Sequence, residues 1–154
     1  DAGAVDFDDQ VYGAIESLLA DGELRASCRL ACRHLLVDEF QDLTPAHVLL
    51  LRLLASPAFD CFGVGDDDQV IYGHAGADPA FLIDYERLFP GAGDHPLEVN
   101  YRCRPEVVRA ASTLLGYNRR RVPKQVRPGR GDPPPGSPPP LEVRLHEPAG
   151  GVSA

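Results

Sequence analysis

The sequence predicts an α/β fold in which helices flank a parallel sheet. Residues 34–42 and residues 61–69 each begin with an apolar run typical of a buried strand and end in acidic residues. Between them, Thr44 suits an N-cap, Pro45 suits the first helical position, and Val48 to Leu54 supply an apolar helix body. Strand, helix and strand predict a βαβ unit, whose right-handed crossover places both strand ends on one edge of the sheet.

Further helices are predicted on either side of this unit. Asp6 suits the cap of a helix that ends at Asp21-Gly22, and a second helix is predicted between Asp78-Pro79 and Phe89-Pro90. The apolar face predicted for the first helix consists of Phe7, Val11, Ile15, Leu18 and Leu19.

A boundary is predicted at the glycine-rich residues 91–94. After it, residues 95–100 alternate as in a strand, and a helix is predicted from Pro105 to near Gly116. The proline-rich residues 128–140 exclude helix and central strand and predict an extended loop. Beyond the loop, residues 141–146 alternate again and predict a further strand.

Composition places the chain among globular proteins. It has 154 residues, of which 44% are hydrophobic and 25% charged. The sequence contains no apolar run near the roughly 20 residues of a membrane span and no export signal, so we expect a cytoplasmic protein. The four cysteines lack a CxxC pair, which favours reduced thiols, and Cys28, Cys32 and His34 do not have a usual zinc spacing.

Charge is distributed unevenly along the chain. Residues 1–101 carry five basic and 19 acidic groups, whereas residues 102–130 carry nine basic groups against the single acidic Glu106. Two interpretations are open: a solvated basic helix end, which also suits the helix dipole at residues 119–121, or a surface that faces phosphates of ATP or DNA.

The two acidic clusters carry the chemistry that the pattern predicts. Asp38 and Glu39 follow the first strand, and one carboxylate can ligate magnesium while its neighbour polarises water. Taken alone, such a pair of carboxylates is as typical of a solvated turn as of a functional site. The second cluster, residues 66–69, repeats the arrangement and adds Gln69 as a neutral hydrogen-bonding group, which favours a site.

Three segments resemble a known family. The segments LLVDEFQD, GDDDQVIYGHAGAD and LEVNYRCRPEVV resemble motifs II, III and IV of the UvrD/Rep/PcrA group of superfamily 1 DNA helicases, in the family's order and with similar spacing. The resemblance covers residues 5–127. It implies an incomplete RecA-like P-loop NTPase sheet: residues 1–93 as the C-terminal part of a first, ATP-binding domain, and residues 94–154 as the beginning of a second RecA-like domain.

The resemblance also implies residue roles. Asp38 would hold Mg²⁺, Glu39 would activate the water that attacks the γ-phosphate of ATP, and Gln69 would contact that phosphate or water. In the second domain, Arg102 would act as an arginine finger and Tyr101 would stack on adenine.

For DNA binding, the resemblance points to the segment after the second acidic cluster. Tyr72 and His74 would contact single-stranded DNA, for which aromatic faces are suited. Where relatives carry a larger aromatic residue followed by arginine, this chain has His74-Ala75. We therefore expect weaker base stacking and a weaker phosphate contact here.

The expected function is that of a segment of an ATP-dependent DNA helicase or translocase with 3′-to-5′ polarity. It would couple Mg-ATP hydrolysis to movement on single-stranded or partly duplex DNA in repair or recombination, together with the remainder of the helicase chain, in the nucleoid. The sequence lacks the run GxxxxGK[ST], so the isolated chain is expected to be inactive. Two alternatives are a catalytically inactive relative that acts as a binding module, and a Mg-dependent nuclease or phosphohydrolase that uses Asp38, Glu39 and Asp66 to Asp68.

Overall fold

Two short parallel strands organise the N-terminal part of the chain in the computed structural model, which describes residues 5–132, 134, 136 and 137. Strand β1 (Leu35–Val37) pairs with β2 (Cys61–Gly63), with Leu35 opposite Cys61 and Val37 opposite Gly63. Helix α3 (Pro45–Ala55) connects them and begins at the predicted N-cap, Thr44, whose hydroxyl accepts the backbone N–H of His47. The predicted strand-helix-strand unit with parallel strands is confirmed.

Two helices precede this unit, where the sequence predicted one. Helix α1 (Phe7–Ala20) has Asp6 as its N-cap, whose carboxylate accepts the backbone N–H of Asp9 at 2.8 Å. Asp21 ends α1 and immediately caps α2 (Gly22–Ala31), a helix that the sequence analysis missed. The predicted apolar face of α1 is wrong at its two ends, because Phe7 and Leu19 are 87% and 57% exposed; Ile15 and Leu18 are buried.

An aromatic cluster packs on one side of the strand pair. Phe40 and Phe89 are fully buried and, with Ala55, form the core, against which Tyr85 packs. The Tyr85 hydroxyl donates to the carbonyl oxygen of Cys61 at 2.7 Å, and burial raises the pKa of Tyr85 well above its ordinary value. Burial likewise raises the pKa of the Cys61 thiol, which favours its protonated, unreactive form.

The helix predicted between Asp78-Pro79 and Phe89-Pro90 is broken into two short pieces. They are α4 (Ala80–Ile83) and α5 (Tyr85–Leu88), and Asp84 interrupts the helical backbone between them.

The C-terminal part contains a second parallel pair. Strand β3 (Val99–Asn100) pairs with β4 (Arg127–Pro128), and helix α6 (Pro105–Leu115) lies between them in the sequence. The strand predicted over residues 95–100 is therefore confirmed only at its end. Pro128, predicted to begin a loop, belongs to a strand, and the strand predicted over residues 141–146 lies outside the described residues.

The contacts divide the chain into two units. The first comprises the described residues up to His95 together with Arg120–Val122, and the second comprises Pro96–Arg119 and the described residues from Pro123. The α/β class with parallel strands is confirmed, whereas the RecA-like arrangement stays a prediction. Among the helices of the described part of the chain, none has the length and apolar character needed to span a membrane.

Candidate functional site

Both acidic clusters lie at the same edge of the first strand pair. Asp38 and Glu39 directly follow β1, and the 66–69 loop, defined as residues 66–69, follows β2. Backbone hydrogen bonds continue past the strands: the N–H of Val64 donates to the carbonyl of Val37, and the N–H of Phe40 donates to the carbonyl of Val64, both at 2.8 Å. Parallel pairing and these two bonds bring the two loops together, as the sequence predicted.

Glu39 has an unusual backbone. Its φ of 49° and ψ of 45° lie in the left-handed region, which costs a non-glycine residue about 1–3 kcal/mol. Its backbone N–H donates to Oδ1 of Asp38 at 2.9 Å, and both side chains are exposed. A strained backbone at the predicted water-activating carboxylate is typical of a functional position.

Gln41 connects the two loops, and the sequence analysis did not single it out. Its side chain is only 2% exposed. Its amide nitrogen donates to Oε2 of Glu39 at 2.8 Å, and its amide oxygen accepts the backbone N–H of Asp66 at 2.9 Å. Gly65 leaves room for this amide, because a Cβ at residue 65 would lie 2.6 Å from the Gln41 oxygen.

Hydrogen bonds within the 66–69 loop orient Gln69. Residues Asp67–Gln69 form a short 3₁₀ helix, and the Asp66 carboxylate accepts the backbone N–H of Asp68 at 3.2 Å. The other oxygen of Asp66 accepts the side-chain amide of Gln69 at 2.6 Å. Gln69 is exposed, so it can reach a ligand at this edge.

Two further contacts hold the 66–69 loop to residues 120–122 of the same unit. Arg121 forms an ion pair with Asp68, whose side chain is 2% exposed, and the N–H of Val122 donates to the Asp67 carboxylate at 2.7 Å. Three carboxylate oxygens, one each from Asp66, Asp67 and Asp68, lie within 4.8 Å of one another. Each of these carboxylates accepts a protein hydrogen bond, and these bonds order the 66–69 loop.

Asp38 has the chemistry that a magnesium ion requires. Its carboxylate lies exposed at the sheet edge, and one of its oxygens accepts the Glu39 N–H. Magnesium prefers oxygen ligands and keeps several waters, so a single exposed carboxylate beside bound phosphates suits it. The residues present therefore fit the predicted ion.

Tyr72 and His74 lie in the segment after the 66–69 loop. Tyr72 precedes the 3₁₀ helix Gly73–Ala75, and its ring centroid lies 6.2 Å from that of His74. Both side chains are exposed, and Tyr72 is 49% exposed. An exposed pair of rings can stack on a planar ligand.

Tyr101 and Arg102 lie in the second unit, directly after β3. The Asn100 side-chain oxygen accepts the backbone N–H groups of Arg102 and Cys103 at 3.0 and 2.8 Å, which fixes a turn. The Tyr101 side chain is 68% exposed, and its ring lies beside Gly129, where a Cβ would come within 2.5 Å of it. Arg102 is exposed. The roles of all these site residues stay predictions.

A parallel strand pair with carboxylates and an amide beyond its carboxyl ends is typical of α/β proteins that bind nucleotides. Residues 1–90 match the family of the UvrD/REP helicase N-terminal domain, and the chain therefore belongs to this family.

Named relatives agree with this assignment. The chain is similar to the ATP-dependent DNA helicase PcrA of Leuconostoc citreum, with 34% identity over 131 residues, which is 84% of this chain and 18% of that protein. It is also similar to the ATP-dependent DNA helicase UvrD2 of Mycobacterium tuberculosis, with 36% identity over 118 residues, which is 77% of this chain and 17% of that protein. PcrA of Staphylococcus aureus is 36% identical over 121 residues, which is 79% of this chain and 17% of that protein. The chain thus spans less than a fifth of the length of these relatives.

Proposed function

We propose that this chain is a segment of an ATP-dependent DNA helicase or translocase that couples Mg-ATP hydrolysis to movement on single-stranded or partly duplex DNA. One observation carries the proposal: Glu39 and Gln69 lie on adjacent loops at one strand edge and are joined by hydrogen bonds through Gln41 and Asp66. Membership of the UvrD/REP helicase family and relatives named ATP-dependent DNA helicases support it.

In the first unit, the proposed roles follow from position and chemistry. Asp38 would hold the Mg²⁺ that accompanies ATP, and the ion, when bound, would supply positive charge to the phosphates. Glu39 accepts a proton from the attacking water, since its exposed carboxylate stands beside Asp38 on the same loop. Gln69 contacts the γ-phosphate or that water. Because this contact changes on hydrolysis, Gln69 couples hydrolysis to the conformation of the adjoining loop.

In the second unit, Arg102 supplies positive charge to the transferred phosphoryl group, and Tyr101 stacks on adenine. Tyr72 and His74 contact bases of single-stranded DNA. These assignments treat the three segments as helicase motifs II, III and IV on two RecA-like domains, with residues 94–154 opening the second. The same proposal includes 3′-to-5′ polarity, a role in repair or recombination, the remainder of the helicase chain as partner, and a location at the nucleoid.

The test is DNA-stimulated ATP hydrolysis by the full-length protein. We expect turnover in the presence of Mg²⁺ and single-stranded DNA, and a fall of about 100-fold or more in Glu39→Gln, because a positioned general base contributes 10²–10⁴-fold. Glu16→Gln is the matched control, since Glu16 is an exposed residue of α1. It should hydrolyse ATP at the wild-type rate.

Three results would overturn the proposal or part of it. A wild-type protein without ATP turnover would favour the inactive binding module. Full activity in Glu39→Gln would remove Glu39 from the mechanism. Cleavage of DNA that persists without nucleotide would favour the nuclease alternative.

A further inference from the structure

We propose that Gln41 is a positioning residue for ATP hydrolysis, which holds the Glu39 carboxylate at a fixed place relative to the loop that carries Gln69. This inference rests on the proposed function and adds a residue to it. Gln41 need not touch the substrate, since it acts through the groups on either side of its amide.

Gln41 is buried in the turn that follows β1. Its side chain is 2% exposed and lies in the sequence beside Phe40, which is 0% exposed. Burying an amide is unfavourable unless both of its ends form hydrogen bonds. Here one end bonds to the loop after β1 and the other to the loop after β2. The buried amide of Gln41 therefore joins the two loops.

The two partners of the Gln41 amide fix its orientation. Oε2 of Glu39 is an acceptor, and the backbone N–H of Asp66 is a donor. Rotating the amide by half a turn would place oxygen against carboxylate and NH₂ against N–H. Both contacts would be repulsive, so the two partners select a single orientation of Gln41.

A continuous series of hydrogen bonds connects Glu39 with Gln69. The Gln41 amide links Glu39 to the Asp66 backbone, and the Asp66 carboxylate in turn holds the side-chain amide of Gln69. A glutamate on an exposed loop has several rotamers, and only some of them suit a general base. The Gln41 anchor removes part of this freedom and ties the position of Glu39 to that of Gln69.

The experiment compares steady-state ATP hydrolysis of full-length variants with single-stranded DNA and Mg²⁺ present. Gln41→Met keeps an unbranched side chain of similar length and removes both hydrogen bonds. Gln41→Glu keeps the acceptor for the Asp66 N–H and removes the donor to Glu39. Gln10→Met is the matched control, because it makes the same chemical change at an exposed position of α1.

We expect kcat to fall about 10-fold or more in both Gln41 variants, since misplaced catalytic groups lose rate steeply. The KM for ATP should change less than about threefold, because Gln41 does not contact the nucleotide. Gln10→Met should keep both wild-type values. A purely structural role predicts a different pattern, in which thermal unfolding shifts and the kcat of the folded fraction is unchanged.

The outcomes separate this inference from the proposed function. Wild-type turnover that is lost in Glu39→Gln but kept in both Gln41 variants would overturn the inference alone. If the Gln41 variants do not fold, Gly65→Ala decides, because its Cβ would lie 2.6 Å from the Gln41 oxygen and would displace the amide without burying a charge. Absence of turnover in the wild-type protein would overturn the proposed function itself.

Discussion

Removing the guanidinium of Arg121 should destabilise the first unit far more than removing that of its neighbour, Arg120. The Arg121–Asp68 pair has side chains that are 21% and 2% exposed, whereas those of the Arg120–Asp84 pair are 64% and 36% exposed. Loss of one partner from a buried pair costs about 3–5 kcal/mol, while exposed pairs contribute about 0.2–1 kcal/mol. Because Arg121 keeps some exposure, we expect about 3 kcal/mol for Arg121→Met and less than about 1 kcal/mol for Arg120→Met.

The assay is urea unfolding of the full-length protein, followed by hydrogen exchange in residues 61–69. A double variant, Arg121→Met with Asp68→Asn, should recover part of the loss, because it removes both charges of the pair and not one alone. The expected coupling is about 1–3 kcal/mol. Equal losses for Arg121→Met and Arg120→Met, or strictly additive losses in the double variant, would refute the interpretation that this pair holds the 66–69 loop.

Four further predictions concern the backbone and the core. Glu39→Gly should be more stable than Glu39→Ala by about 1 kcal/mol in urea unfolding, because residue 39 is left-handed; equal midpoints would contradict strain there. Gly65→Ala should lower the kcat for ATP hydrolysis, because its Cβ would lie 2.6 Å from the Gln41 oxygen and would displace the amide. A wild-type kcat in this variant would contradict the positioning role of Gln41. Tyr85→Phe should cost about 1 kcal/mol through the lost bond to β2. The wild-type protein should also lose stability as pH rises past about 10, because folding raises the Tyr85 pKa and only the unfolded chain releases that proton. Unfolding measured at pH 8 and at pH 10.5 should show a smaller loss of stability in Tyr85→Phe than in the wild-type protein.

Local signals account for the part of the fold that the sequence predicted well. Thr44 and Pro45 define the start of α3 through short-range hydrogen bonding and a fixed φ, and both effects act within a few residues. Helix α2 was not predicted because the local signal at its start has two possible meanings. Asp21-Gly22 is a turn signal, yet Asp21 accepts the N–H groups of Glu23 and Leu24 and so begins a new helix without an intervening loop.

The sequence likewise identifies some residues of the candidate site and not others. Asp38, Glu39 and Gln69 stand out because acidic and amide groups directly follow apolar strands. Gln41 does not, since its role depends on Asp66, 25 residues further along the chain. The sequence shows only an amide residue between Phe40 and Asp42, and the fold is needed to identify its hydrogen-bond partners.

The basic residues of the segment 102–130 can have two uses, which are pairing with acidic residues of the chain and binding phosphates. The nine basic groups of residues 102–130 suggested either a solvated helix end or a phosphate-binding surface. In the structure, Arg120 and Arg121 instead pair with Asp84 and Asp68, and Arg109 pairs with Asp132. Part of the sign change at residue 102 therefore balances acidic groups of the chain itself. Salt distinguishes the two uses: exposed phosphate contacts weaken steeply as salt rises, whereas the buried Arg121–Asp68 pair is screened much less. Under the proposed function, high salt should therefore release DNA before it disrupts the hydrogen bonds that hold the 66–69 loop.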